Sequence, residues 1–222
     1  MKHTLLAAAL LSSAIFAPYT AAQAASISGL HNTGLGAAGD SDSHYTLKAQ
    51  SSDTWIPATK PVITIDNVWP ISPWMANSNT SKWITPTANQ GQSFDGWDTG
   101  YYTYSLSFDL SGYNAATAAF SGRVAADNFV TVLLNNHVVG TGNGFSDWSS
   151  FSSGAGGSAF VSGVNKLDFV VTNWAQNGGN PTGLRVEFDA SSVAAVPEPE
   201  TYALMLGGLA LVGAVARRRK LA

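Results

Sequence analysis

The chain of 222 residues carries 11 Lys and Arg against 14 Asp and Glu, has no cysteine, and is weakly acidic. That balance excludes a binder that grips nucleic acid through a basic surface, and the lack of cysteine excludes disulfide scaffolds, thiol nucleophiles and Cys-ligated metal sites. Only 11% of residues are charged, while 22 are Gly, 7 Trp, 7 Tyr and 10 Phe; this argues against helical bundles, coiled coils and charge-rich disorder and fits an aromatic-rich all-β domain.

At the start, Lys2 and His3 precede an apolar run from Leu5 to Ala17, and Ala22-Gln23-Ala24 offers a small-x-small cleavage site. Residues 1–24 therefore read as a secretory signal peptide cut after Ala24. The segment 25–196 is expected to be one exported domain, with six basic and twelve acidic side chains and all seven tryptophans. Early in it, Gly34-Leu35-Gly36-Ala37-Ala38-Gly39 matches a dinucleotide-binding spacing, but no apolar strand precedes it and no amphipathic helix follows. Asp40 and Asp42 begin like a calcium loop without its later glycine and glutamate, so a structural calcium ion is possible only as a loosely built site, and a solvated loop is the simpler reading.

The periodicity after that is one of strands. Tyr102, Tyr104, Leu106, Phe108 and Leu110 alternate with Thr103, Ser105, Ser107 and Asp109, giving one core face and one wet face. Further strands are expected over 45–49, 62–66, 116–124, 129–134, 137–139, 167–172 and 184–189. Asn135-Asn136 marks a tight hairpin, because Asn tolerates the positive φ such turns need. The stretches 140–157 and 177–183 are rich in Gly, Ser and Asn and read as loops. Some eight strands and no helix outside the tags predict a β-sandwich.

No catalytic signature emerges. Gly-x-Ser-x-Gly and His-Glu-x-x-His are absent, and His31, His44 and His137 are scattered. Asp95 and Asp98, in Phe94-Asp95-Gly96-Trp97-Asp98, are the best carboxylate pair for a glycan hydrolase, but Asp and Gly in that order more simply make a polar turn. The chain is thus read as a non-enzyme. Sugars present apolar C–H faces and hydroxyls, so a binding site pairs an aromatic platform with polar groups that fix orientation. Asp147 with Trp148, Asn173 with Trp174, and the pair Trp69 and Trp74 have that chemistry in or beside loops. The competing reading is that these indoles fill the sandwich ends. Asp127 and Asn128 read as a turn rather than ligand groups.

At the end, Val196-Pro197-Glu198-Pro199-Glu200-Thr201 leads into an uncharged apolar run, Tyr202 to Ala216, and then Arg217-Arg218-Arg219-Lys220. The run covers about 22 Å at about 1.5 Å per residue, against a hydrocarbon core of about 30 Å. It reads as a marginal membrane helix over 201–216, with the basic cluster as a cytoplasmic stop. These three parts in this order resemble the PEP-CTERM sorting signal of Gram-negative bacteria that make exopolysaccharide. The resemblance covers only 197–222 and the residue before them. It implies handling by an exosortase, a membrane enzyme, with Pro197, Glu198 and Pro199 as the recognition segment and Arg217, Arg218 and Arg219 as the retention signal. It also implies an inner-membrane stage through the helix, followed by delivery to the cell surface or extracellular matrix.

A second resemblance runs from Trp83-Ile84-Thr85-Pro86 through Tyr102-Thr103-Tyr104, Ala126-Asp127-Asn128, Leu134-Asn135-Asn136 and Asn165-Lys166-Leu167 to Gly183-Leu184-Arg185-Val186. This order is similar to a galactose-binding-like jelly roll, the sandwich of many carbohydrate-binding modules. The expectation is therefore a jelly-roll β-sandwich that binds exopolysaccharide without catalysis. The alternatives are a structural biofilm-matrix protein with no tight sugar binding and, third, a hydrolase.

Overall fold

The computed structural model describes residues 24–154, 159–196 and 199–220. Eleven strands precede one helix: β1 (Ala24–Ala25), β2 (Thr46–Gln50), β3 (Val62–Ile63), β4 (Ile84–Thr85), β5 (Gly100–Asp109), β6 (Tyr113–Asp127), β7 (Phe129–Leu134), β8 (His137–Asn143), β9 (Ser149–Ser153), β10 (Val164–Asn173), β11 (Gly183–Ala195) and α1 (Pro199–Lys220). They form two sheets. One runs β3-β4-β11-β6-β9, with β1 on the other part of β11, and the second runs β2-β5-β10-β7-β8. The paired strands are antiparallel, so the expected all-β sandwich is what the chain forms.

The alternation in β5 places Tyr102, Tyr104, Leu106 and Phe108 inside, where they meet Leu167, Phe169 and Val171 of β10 and, across the sandwich, Val124, Leu184 and Val186. Each such large side chain contributes about 1.5–3 kcal/mol when fully buried. Among the described residues the buried core falls between Ile27 and Val193, so the segment 24–196 contains its own core. The Asn135-Asn136 hairpin is confirmed: both residues have positive φ, 48° and 69°, and Leu134 pairs with His137 across a two-residue turn.

The stretch 140–157 is not one loop. β8 continues to Asn143, and β9 follows over Ser149–Ser153. Its four serines hide the strand period, yet Phe151 is buried and meets Phe120, Phe169 and Phe188 edge-on at 5.7–6.0 Å. Glycines make room for that ring. A Cβ at Gly122 would lie 2.7 Å from the Phe151 ring and 2.5 Å from the Glu187 carbonyl, and one at Gly140 would lie 2.5 Å from the Phe151 Cβ.

Residues 1–23, most of the expected signal peptide, lie outside the described residues; Ala24 and Ala25 pair with Ala194 and Val193. At the other end α1 is longer than the expected 201–216, but no described helix is long and apolar enough to cross a membrane. The uncharged run stops at Ala216, where Arg217 to Arg219 begin, so the added length brings charge instead of apolar surface. The expected transmembrane helix over 201–216 is corrected accordingly, and an inner-membrane anchor through it is not supported.

Gly122→Ala should cost about 1–3 kcal/mol by overpacking, because the nearest atom is backbone. Gly154→Ala, where a Cβ meets nothing within 4 Å, should be close to neutral. Urea unfolding of both variants checks the contrast.

Candidate functional site

Strand register brings the candidate loops to one end of the sandwich. In one sheet Gly100 pairs with Asn173, Tyr101 with Gln50, and Phe129 with both Thr172 and Asn143. In the other, Asp127 pairs with Gly183 and Val124 with Ser149. The loops 51–61, 86–99, 144–148 and 174–182 therefore meet at this end. The Asp127–Asn128 step lies among them and joins the two sheets.

Two carboxylates organise these loops. Asp95 is fully buried and has φ 58°. Its Oδ1 accepts from the Ser51 hydroxyl and the Ser52 amide at 2.9 and 2.7 Å, and its Oδ2 accepts from the Tyr102 hydroxyl and the Asn173 amide at 2.7 and 2.9 Å. Its backbone carbonyl accepts from the Gln176 amide. Gly100 is required beside it, since a Cβ there would lie 2.2–2.4 Å from the carboxylate. Asp98 is exposed. The pair considered for hydrolysis is thus one enclosed, fully engaged carboxylate and one surface carboxylate, which is the polar-turn alternative in a more demanding form.

Asp127 is also buried. Its Oδ2 accepts from the Trp74 indole at 2.8 Å, and its Oδ1 accepts from the Asn128 amide at 2.7 Å. Asn128 in turn accepts from the Trp174 backbone amide at 2.8 Å, and its own carbonyl accepts from Gly144 at 2.7 Å. Burial raises the Asp127 pKa to about 6, and the Trp74 hydrogen bond only partly opposes this.

The outer face of the β11-β6 pair carries a charged cluster under the 75–82 segment. Arg185, nearly fully buried, donates to the Ser81 and Ser78 hydroxyls and the Ala76 carbonyl. Glu187 accepts from Ser81 at 2.7 Å and from the Arg123 guanidinium at 2.5–2.9 Å. Burial lowers the Arg185 pKa, with Arg123 adding to the effect; Glu187 is pushed up by burial but held below its usual value by Ser81 and the two arginines.

The sequence-derived candidates sort clearly in this frame. All six lie at or beside this loop end. Trp174 and Trp69 are each 49% exposed, so their rings face solvent. Asp147 is exposed and accepts from Ser146. Trp148 is half-buried, with the Arg123 and Arg185 guanidinium carbons 4.7 and 5.0 Å from its ring centroid, so cations already occupy part of its π surface. Trp74 is buried, 4.4 Å from the Trp83 ring; this corrects its assignment as half of an exposed platform, because its indole closes a small second core with Ile71, Trp83 and Ala125. Asn173 is likewise corrected from ligand group to support: it is fully buried and held by Asp95.

Trp55 and Trp97, not among the binding candidates, are 87% and 78% exposed; what draws attention to them is the Gly96 amide donating to Asp53 Oδ2 between their loops. Sequence reasoning also treated the histidines as scattered, whereas His31 and His44 stack at 3.8 Å. The Asp42 carboxylate accepts from the Gly34 and His44 amides, which accounts for the buried end of the expected solvated loop. Among the described residues no group of three His, Asp or Glu side chains could hold a metal ion. Pro197 and Glu198 lie outside the described residues, Pro199 begins α1, and Arg217, Arg218 and Arg219 are exposed in its last turns.

Fold and chain end together define an all-β sandwich that carries a sorting tag. Residues 195–220 match the PEP-CTERM protein-sorting motif. The comparison with curated proteins finds no match. Among solved structures, the chain is similar to a family 35 carbohydrate binding module from an environmental isolate, at 13% identity over 68% of this chain and 99% of that one, with a TM-score of 0.29. It is similar to the CBM36-1 domain of a multidomain xylanase from the hindgut metagenome of Trinervitermes trinervoides, at 11% identity over 69% and 99%, with a TM-score of 0.29. A third likeness is to a family 11 carbohydrate-binding module from Clostridium thermocellum in complex with a β-1,3-1,4-mixed-linked tetrasaccharide, at 10% identity over 72% and 88%, with a TM-score of 0.27. The architecture itself rests on the strand register.

Asp95→Ala strands the Tyr102 hydroxyl, the Asn173 amide and the Ser52 amide, so it should cost about 3–5 kcal/mol in chemical unfolding. For Asp127, a folded pKa above the unfolded value of 3.8 means that the native state binds the proton more tightly. Its contribution therefore favours folding below about pH 4 and is lost as pH rises to about 6, by up to about 3 kcal/mol. Thermal melts from pH 4 to 8 should show that decline in the natural protein and a flatter profile in Asp127→Asn.

Proposed function

We propose that the chain is an exported envelope or extracellular-matrix protein whose sandwich binds exopolysaccharide without catalysis, and whose C-terminal segment is handled by an exosortase. The tag match supports the sorting half. The binding half is carried by one observation: half-exposed Trp174 and Trp69 are brought, with polar loop groups, to one end of a sandwich whose loops are fixed by buried carboxylates. In this reading Trp174 and Trp69 supply aromatic faces for sugar C–H surfaces, Asp147 and the edge of Trp148 add polar and aromatic contacts at the rim, and Asn173 and Trp74 support them from below. The motif order from Trp83 to Val186 supports placing the sandwich among galactose-binding-like jelly rolls.

Purified 24–196 domain should bind exopolysaccharide from its own host in calorimetry, run with and without calcium. Trp174→Ala should weaken binding about tenfold or more, about 1.4 kcal/mol, with an unchanged melting temperature. A folded domain that binds in neither condition points to a structural matrix protein instead. Replacement of Pro197-Glu198-Pro199 or of Arg217-Arg218-Arg219 should abolish size processing in a host with an active exosortase. Wild-type size and localisation of both variants would refute the sorting assignment.

A further inference from the structure

Trp55 and Trp97 occupy the same end of the sandwich on two segments locked to each other. Asp53 Oδ2 accepts from the Gly96 amide at 2.8 Å, and the Ser52 hydroxyl donates to the Asp98 carbonyl at 2.8 Å. The residues on both sides of Trp97 are thus tied to the segment that carries Trp55. Beneath them, Asp95 accepts from Ser51 and Ser52. On the far side of Trp55, Ile56 inserts into the main core.

The backbone of both segments is therefore fixed, yet the two indoles stand almost wholly in solvent, 87% and 78% exposed. Little of either residue is buried in the fold, and each presents a large apolar surface to water. Two solvated indoles on a fixed backbone, two residues and one residue from a shared hydrogen bond, form a surface whose loops are already ordered before binding. The segments 51–55 and 93–98 contain three Asp and no Lys, Arg or His. With Asp95 buried, the charged groups that these two segments present are Asp53 and Asp98. The Gly96 amide, despite a small opposing desolvation, holds the Asp53 carboxyl below the usual carboxylate range, so it stays ionised at neutral and mildly acidic pH.

We propose that Trp55 and Trp97 form a paired aromatic platform for an uncharged polysaccharide chain, whose C–H faces stack on the indoles while hydroxyls donate to the Asp53 and Asp98 carboxylates. This deepens and rests on the glycan-binding reading of the same loop end, and it names the class of glycan. Uronate-rich or otherwise anionic chains are disfavoured, because their carboxylates would face Asp53 and Asp98 with no cation in either segment to compensate.

The test uses the 24–196 domain in affinity electrophoresis and calorimetry, with a mixed-linkage β-glucan, a mannan and a galactan as neutral probes, and alginate and polygalacturonate as anionic ones. At least one neutral chain should bind. Trp55→Ala and Trp97→Ala should each weaken it tenfold or more, the double variant should lose it, and Trp→Phe at either site should recover part. Melting temperatures should not move, since both rings are exposed. Val138→Ser, at the Asn135-Asn136 end, serves as the surface control and should bind normally. Neutral-glycan binding that survives the double variant, or tighter binding of an anionic chain, would overturn the platform while leaving glycan binding itself intact. Binding of no glycan from a folded domain would overturn both. Self-association in sedimentation that disappears in the double variant, without any glycan effect, would identify the patch as a contact between copies and also overturn the proposal.

Discussion

A buried carboxylate without a salt-bridge partner has to be surrounded by hydrogen-bond donors, and at Asp95 that requirement shapes a whole end of the molecule. Its donors come from the segment after β2, from β5 and from β10, elements far apart in sequence. An ionised group stripped of water and left without such donors would cost several kcal/mol, so these segments must converge. Gly100 is the complement of this arrangement, since only a residue without a Cβ fits against the carboxylate. The exposed chemistry of the loop end is mounted on this enclosed carboxyl group.

The outer face of the β11-β6 pair solves a related problem with cations. Arg185 and Glu187 share Ser81, and Arg123 closes the cluster from the more exposed side. Trp148 lies against both guanidiniums, so its indole screens charge from solvent while the cations draw on its π electrons. This explains why an aromatic residue in a Gly- and Ser-rich segment is only half-buried. It packs against the small core of Ile71, Trp74, Trp83 and Ala125 and also covers a polar network.

Much of the fold was legible because it obeys short-range rules. The alternation of β5 gave its inner face, and Asn135-Asn136 gave its turn, since both depend on local geometry. β9 was hidden because serine has no strong strand signature and its one apolar residue, Phe151, is meaningful only against Gly122 and Gly140 on other strands. The loop end was half legible. Composition singled out Trp69, Trp74, Trp148 and Trp174, but it could not separate the inward Trp74 from the outward Trp174, because the difference lies in long-range partners: Asp127 for the first indole and Asn128 for the second residue's backbone. Trp55 and Trp97 went unnoticed for the same reason, since the Asp53 latch spans 43 positions.

The pairing of β1 with the far part of β11 also gives the domain a direction. Ala24 and Ala25 lie beside Ala194 and Val193, and Val196 is tied to the Gly112 carbonyl, so both chain ends leave from the edge opposite the tryptophan-bearing loops. β11 itself runs from Gly183 at the loop end to Ala195 at the exit, a path of about 40 Å at about 3.3 Å per residue. The sandwich therefore sets its aromatic loops about 40 Å from the point where the segment leading to the sorting motif leaves it.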